Sequence, residues 1–185
     1  MCEVGCGEGT ILTYFAKLFP RATFKGVDLD SEVVKQATQR ADAEKLSNIT
    51  CVERNMYDLP KDFSTAFDVV LIADAFHDLP DIGKALDTVK AILKPSGILV
   101  VIDFNNASAA QDNLDNPVYS MLCLASMGYC IPCSYYHGGD QADVQGGTMG
   151  VENIVTAINK GGFTISKQQP LNSIQMNIAF LCKPN

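Results

Sequence analysis

Near the N-terminus, Glu3-Val4-Gly5-Cys6-Gly7-Glu8-Gly9 sets three glycines at alternate positions behind an acid. Glycines let a backbone adopt strained dihedrals and approach a ligand closely. Asp28 stands nineteen positions beyond Gly9, where an acid at the tip of the next strand can accept two hydrogen bonds from ribose hydroxyls. Farther along, His77-Asp78 joins an imidazole, with an unperturbed pKa of about 6.5 that suits a general base, to a carboxylate able to fix its orientation. A third group, Cys130-x-x-Cys133 with His137 four residues later, offers two thiolates and an imidazole, the donor types of a zinc site. It has no obvious fourth ligand, and packing of small side chains explains Cys130 without an ion, so the expectation is no metal. A redox role would need a strand-to-helix start, which this stretch lacks, and His137 reads as a solvent-facing loop histidine.

Two ligands compete for the glycine loop, a dinucleotide and S-adenosylmethionine. A dinucleotide sets its diphosphate on the helix N-terminus, where Glu8 in the loop and Glu3 before it would present uncompensated negative charge. A ligand carrying an ammonium and a sulfonium is favoured by the same charges. The dinucleotide pattern also wants a small residue where Thr10 stands. A tight turn with no ligand would use the same glycines. Downstream, in Val52-Glu53-Arg54-Asn55-Met56-Tyr57-Asp58-Leu59-Pro60, Asn55 and the Met56 backbone can meet an adenine edge and face.

The elements that must position these residues alternate. Apolar spacing predicts a helix over residues 9–19, a strand over 23–28, and a helix that Ser31 caps, with Val33, Val34, Ala37, Ala41 and Leu46 on one face. A strand over 49–53, an apolar strand over 67–73 and a helix with Ile82, Ala85, Leu86, Val89, Ile92 and Leu93 inward follow, stopped by Lys94-Pro95-Ser96-Gly97. The continuous apolar runs 67–73 and 98–103 suit central strands of a parallel sheet covered on both faces. Residues 104–150 interrupt the alternation and read as an inserted lid with a helix near 117–127, too long for an ordinary connection. Its Tyr119, Met121, Leu122, Leu124, Met127, Tyr129, Tyr135 and Tyr136 suit either an organic acceptor pocket or an underside packed on the sheet. A helix over 151–160 and strands near 163–167 and 175–182 close the chain.

With 185 residues, 47% of them hydrophobic, a single domain spanning residues 1–185 can bury a continuous core, which excludes a disordered chain. A net charge of -7 supplies no cationic surface for phosphates, so no nucleic-acid partner is expected. No apolar run approaches the roughly 20 residues that span a bilayer, so no membrane segment is expected. The absence of a signal-like N-terminus, and seven cysteines partly inside apolar stretches, point to reduced thiols and a cytoplasmic location.

The ordered set EVGCGEGT, GVDLD, NMYDLP, FDVVLIADAFHDLPD and LKPSGILVVID resembles the class I S-adenosylmethionine-dependent methyltransferases over residues 1–103. Beyond it, Asn113-Leu114-Asp115-Asn116-Pro117, Cys130-Ile131-Pro132 and Gly146-Gly147-Thr148-Met149-Gly150 are similar to a subgroup that joins an N-terminal winged-helix domain to this fold. The resemblance implies an α/β, Rossmann-like, doubly wound seven-stranded sheet, mostly parallel with an antiparallel last strand, and S-adenosylmethionine across the carboxyl ends of the first strands. By the same likeness Glu3, Gly5, Gly7 and Gly9 would border the methionine part, Asp28 would hold the ribose, Leu29, Asn55 and Met56 would flank the adenine, and Ala73 would lie under the reactive methyl side. It casts His77, on the rim where an acceptor enters, as the base of a small-molecule O-methyltransferase.

Against the family pattern, the expectation is a first strand truncated to residues 1–4 without the preceding helix or winged-helix domain, as in a fragment, a shortened gene product or one half of an assembly. A homodimer or an N-terminal covering partner is one expectation. The alternative function is a non-catalytic S-adenosylmethionine- or partner-binding module. A third, an NAD-dependent oxidoreductase, is disfavoured by Glu8.

Overall fold

The computed structural model describes residues 1–171 and 176–185. Seven strands form one sheet: β1 (Cys2–Val4), β2 (Phe24–Asp28), β3 (Ile49–Glu53), β4 (Phe67–Ala73), β5 (Leu93–Phe104), β6 (Phe163–Pro170) and β7 (Asn177–Pro184). Their spatial order is β3-β2-β1-β4-β5-β7-β6. Strands β1 to β5 pair in parallel, while β7 runs against both β5 and β6. The doubly wound sheet with an antiparallel last strand is therefore as the sequence implies. Residue 175, the expected start of the closing strand, lies outside the described residues.

Helices α1 (Thr10–Leu18) and α2 (Ser31–Ala43) belong to the β1–β3 half, and α3 (Ile82–Ile92) and α6 (Val151–Lys160) cover the other face. Alternation along a strand sends successive side chains to opposite faces. Cys2, Val4, Val70, Ile72, Leu99 and Val101 thus join the α3/α6 core, and Glu3 turns to the α1 side. The α3 residues Ile82, Ala85, Leu86, Val89 and Ile92 are all buried, as the 3.6-residue spacing requires.

Three local expectations change. Asp30, not Ser31, caps α2, its carboxylate accepting from the Glu32 amide at 2.8 Å; an ionised acid at that position also complements the helix dipole. Lys94-Pro95-Ser96-Gly97 does not separate helix from strand but bulges within β5, where pairing passes from Phe67–Leu93 to Val69–Ile98. Between residues 104 and 150, helices α4 (Tyr119–Ala125) and α5 (Ile131–Gly138) flank a five-residue π turn, Ser126–Cys130. No helix among the described residues is long and apolar enough to cross a membrane.

Candidate active site

Strand order reverses between β1 and β4, and ligands of open α/β sheets bind beyond the carboxyl ends of the strands at such a point. The sequence builds that crevice directly. Gly5 leaves β1 at φ +69°, and a Cβ there would meet the Ala75 Cβ at 2.8 Å, so only glycine lets the loops after β1 and β4 meet. Gly9 at φ +70° opens α1, and its missing side chain lets Ala37 of α2 approach. Asp28, ending β2, holds the loop: its Oδ2 accepts from the Gly7 amide at 2.9 Å and its Oδ1 from the Asp30 amide at 3.1 Å.

A cavity of about 550 Å³ opens there, within the range of about 300–1,000 Å³ typical of small-molecule sites. Of the residues anticipated at the cofactor, Gly5, Asp28, Leu29, Asn55 and Met56 line it. Glu3, Gly7, Gly9 and Ala73 do not line it, and Ala75 takes the wall position next to Gly5. Tyr129, one of the residues suited to an acceptor pocket, reaches the wall, as does the exposed His137, while Arg54, Tyr57 and Cys133 there were not anticipated. Cys133 and His137 are i,i+4 on α5 and so share one helix face; that spacing was the available signal, and His137 faces the cavity. Another concavity of about 450 Å³, between α3 and α6, gathers none of the anticipated residues.

Glu3 lies buried under the glycine loop, and its Oε2 finds no hydrogen-bond partner among the described residues. Burial pushes its pKa up to about 8, with Cys51 and Asp28 adding to the rise and the Leu12 amide opposing it. Glu8 is exposed and paired with Arg40 at 2.9 Å, while the Arg40 Nε donates to the Glu8 carbonyl at 3.0 Å. Its charge is thus paired at the surface and directed toward α2, which weakens the electrostatic objection to a diphosphate.

His77 follows β4 in a short helical turn, Phe76–Asp78. Asp74, at φ 49°, makes the turn in a left-handed conformation uncommon outside glycine; its carboxylate is tied to the Asn177 amide of β7. His77 is 3% exposed and is absent from the cavity wall, so it sits behind the rim. Asp103, two residues beyond Val101 on the same face of β5, holds it. The Asp103 Oδ1 lies 2.8 Å from His77 Nδ1, and Oδ2 accepts from the His77 amide at 3.2 Å. The orienting acid is therefore Asp103 rather than Asp78. Asp78 lies at the other ring nitrogen, with Oδ1 3.3 Å from Nε2, and Cys130 Sγ is 3.6 Å from Nε2. Burial alone lowers the His77 pKa, but Asp103, Asp78 and Asp74 outweigh it and hold it above the ordinary histidine value.

The insertion is stitched to this turn, since the Gly146 amide donates to the His77 carbonyl at 3.2 Å and the Asp143 amide to the Pro80 carbonyl at 2.8 Å. Most of its large apolar side chains neither form a pocket nor pack on the sheet. Leu122 is buried and Tyr129 touches the cavity, while Met121, Leu124, Met127, Tyr135 and Tyr136 are exposed. Cys130, Cys133 and His137 do not gather as one ligand set; Cys130 turns instead to His77 and Asp78.

Residues 1–170 match the model of a methyltransferase domain family. The chain belongs to that family, the class I S-adenosylmethionine-dependent methyltransferases. A fatty-acid O-methyltransferase of Mycolicibacterium smegmatis is 32% identical over 101 residues, 55% of this chain and 35% of that enzyme. A 2-phytyl-1,4-naphtoquinone methyltransferase of Nostoc sp. is 24% identical over 184 residues, 98% of this chain and 79% of that protein. Among solved structures, a SAM-dependent methyltransferase from Aquifex aeolicus superposes with a TM-score of 0.70 at 16% identity, covering 98% of this chain and 79% of that one, a likeness of fold. The family's cofactor is S-adenosylmethionine, and a dinucleotide is thereby set aside on family grounds rather than on the charge of Glu8.

Proposed function

We propose that the chain binds S-adenosylmethionine in the cavity between β1 and β4 and methylates the hydroxyl of a small organic acceptor, with His77 as the general base. The observation that carries this reading is the buried His77–Asp103 contact just behind the rim of the crevice. In it, Asp103 accepts the hydrogen bond of Nδ1–H, which makes Nε2, beside Asp78 and Cys130, the ring nitrogen that would receive a proton. Asp28 would hold the ribose, Leu29, Asn55 and Met56 would flank the adenine, and Gly5 would border the methionine part. Glu3, Gly7, Gly9 and Ala73, set back from the wall, would act through the shape of the loops and strand ends. The residues present fit the cofactor: the orphaned Glu3 Oε2 beneath the glycine loop is suited to an ammonium, and Gly5 keeps bare backbone on the cavity wall, where a Cβ would clash with Ala75.

Bound there, S-adenosylmethionine supplies a methyl group on a positively charged sulfur. Nε2 would take the hydroxyl proton as the acceptor oxygen becomes the methyl-accepting nucleophile. Methyl transfer by this route would need the cavity walls to hold the two reactants in line and limit water. Exposed apolar side chains on α4 and α5 support a covering chain, either a second copy or an N-terminal partner, on the acceptor side. A second reading, a non-catalytic S-adenosylmethionine- or partner-binding module, draws on the burial of His77 behind Asp78 and Cys130.

Titration calorimetry with S-adenosylmethionine, and with NAD as a control, tests the binding. Asp28→Ala removes one carboxylate whose hydrogen bonds are worth about 1.5–3 kcal/mol each, so affinity is expected to fall at least tenfold. Unchanged affinity would refute the ribose assignment. His77→Ala separates the two functional readings: the enzyme loses turnover by roughly 100- to 10,000-fold while cofactor affinity holds, whereas a wild-type chain that binds but methylates no hydroxyl compound supports the binding module.

A further inference from the structure

Three donor atoms of different chemistry converge where the cavity meets the inserted segment. His77 Nε2 lies 3.3 Å from Asp78 Oδ1 and 3.6 Å from Cys130 Sγ, and all three lie within 4.8 Å of one another. Zinc bonds of about 2.0 Å to nitrogen or oxygen and about 2.3 Å to sulfur, at tetrahedral angles, require separations of about 3.3 Å for N···O and about 3.5 Å for N···S. The two closest pairs already stand at those spacings.

The surroundings are those of a ligand set. Asp78 Oδ1 is buried 3.3 Å from Nε2 without a hydrogen bond among the described residues, and the Asp78 carboxyl interacts with the Cys130 thiol. Asp103 holds Nδ1 from behind, as the carboxylates that orient zinc-bound imidazoles do. Cys130 is 7% exposed and ends a π turn, an irregularity that concentrates at functional sites. Here the turn aims the thiol at His77 rather than along α5 toward Cys133.

We propose that His77, Asp78 and Cys130 form a binding site for a soft divalent cation, zinc in the first place, with a fourth position open to the cavity that Asp78 also lines. Thiolate and imidazole together select zinc, cobalt or copper over magnesium and calcium. The ion takes the Nε2 lone pair assigned above to proton transfer, so the two uses of His77 exclude each other and zinc inhibits methyl transfer. The site itself stands on geometry and does not depend on the methylation reading.

Cobalt(II) titration of the purified chain, followed by absorbance and by displacement with zinc, tests it without an activity assay. One equivalent is expected to give a thiolate-to-cobalt charge-transfer band and the strong visible bands of four-coordinate cobalt. Cys130→Ala and Cys130→Ser abolish the charge-transfer band, and Cys133→Ala retains it. Asp103→Asn weakens affinity 10- to 100-fold, with far-ultraviolet circular dichroism showing each variant folded. A wild-type chain with no band overturns the proposal, as does a band that survives both Cys130 substitutions or disappears in Cys133→Ala. If the zinc site is confirmed while His77→Ala leaves methyl transfer intact, the base assignment fails and the metal site stands.

Discussion

Replacing Glu3 by Gln should change how stability depends on pH. The wild-type carboxyl is buried beneath the glycine loop with its pKa up at about 8, and glutamine mimics its protonated form in size and shape. The folded chain keeps the proton up to about pH 8, and the unfolded chain releases it near 4.5. Between those values the folded state binds more protons, so stability must fall as pH rises. The slope for one group is about 1.4 kcal/mol per pH unit, or about 2.7 kcal/mol between pH 5 and pH 7. The penalty levels off above pH 8, where both states are ionised. Any constant cost of the glutamine amide cancels when each protein is compared with itself across pH. Urea unfolding of both proteins at pH 5, 6, 7 and 8 provides the assay, and the gap in ΔG between Glu3→Gln and wild type should widen toward the variant by that amount. Parallel curves would refute the reasoning, because they would mean that Glu3 ionises in the fold with an ordinary pKa.

Other outcomes follow from the same geometry. In an active preparation, methyl transfer rises with pH through a midpoint above the ordinary histidine value, and Asp103→Asn moves that midpoint lower by removing the main opponent of burial; an unmoved midpoint in a pH–rate profile counts against Asp103 as the positioning residue. Gly5→Ala sets a Cβ 2.8 Å from Ala75 at φ +69°, so the variant loses about 1–3 kcal/mol of stability, read by thermal or urea unfolding, and binds S-adenosylmethionine more weakly by calorimetry. Gly26→Ala is disruptive on the opposite face, where the new Cβ would sit 2.7 Å from both Cys6 Sγ and Leu12 Cδ1; a loss of similar size is expected with far less effect on the cavity, and an unchanged urea midpoint would show that this face is loosely packed.

Much of the framework was legible in the sequence because it depends on local periodicity. The strands Ile49–Glu53 and Phe67–Ala73 and the helix Val151–Lys160 lie where apolar spacing and glycine stops placed them, and the alternation of strand and helix implied a covered parallel sheet. The glycine loop and Asp28 were legible for the same reason: a turn from strand to helix needs particular residues within a few positions, whatever the rest of the chain does. The cap of α2 was misplaced by one residue, since adjacent Asp30 and Ser31 can both cap and only backbone geometry chooses between them.

Contacts made across the sheet were decided by tertiary structure alone. Asp103 reaches His77 because β4 and β5 pair Ala73 with Ile102, leaving a buried acid at the strand end beside the turn that carries the imidazole; over 26 residues of separation no spacing rule encodes that register. Glu8 read as free charge until the packing of α2 brought Arg40 to it. The cysteines of the insertion suggested a ligand set along one segment, yet the π turn directs Cys130 to His77 and Asp78 and leaves Cys133 and His137 on the cavity wall. Residue types and short-range spacing determined which chemistry the chain can hold; the pairing of distant strands, and the direction of each side chain within them, decided which groups meet.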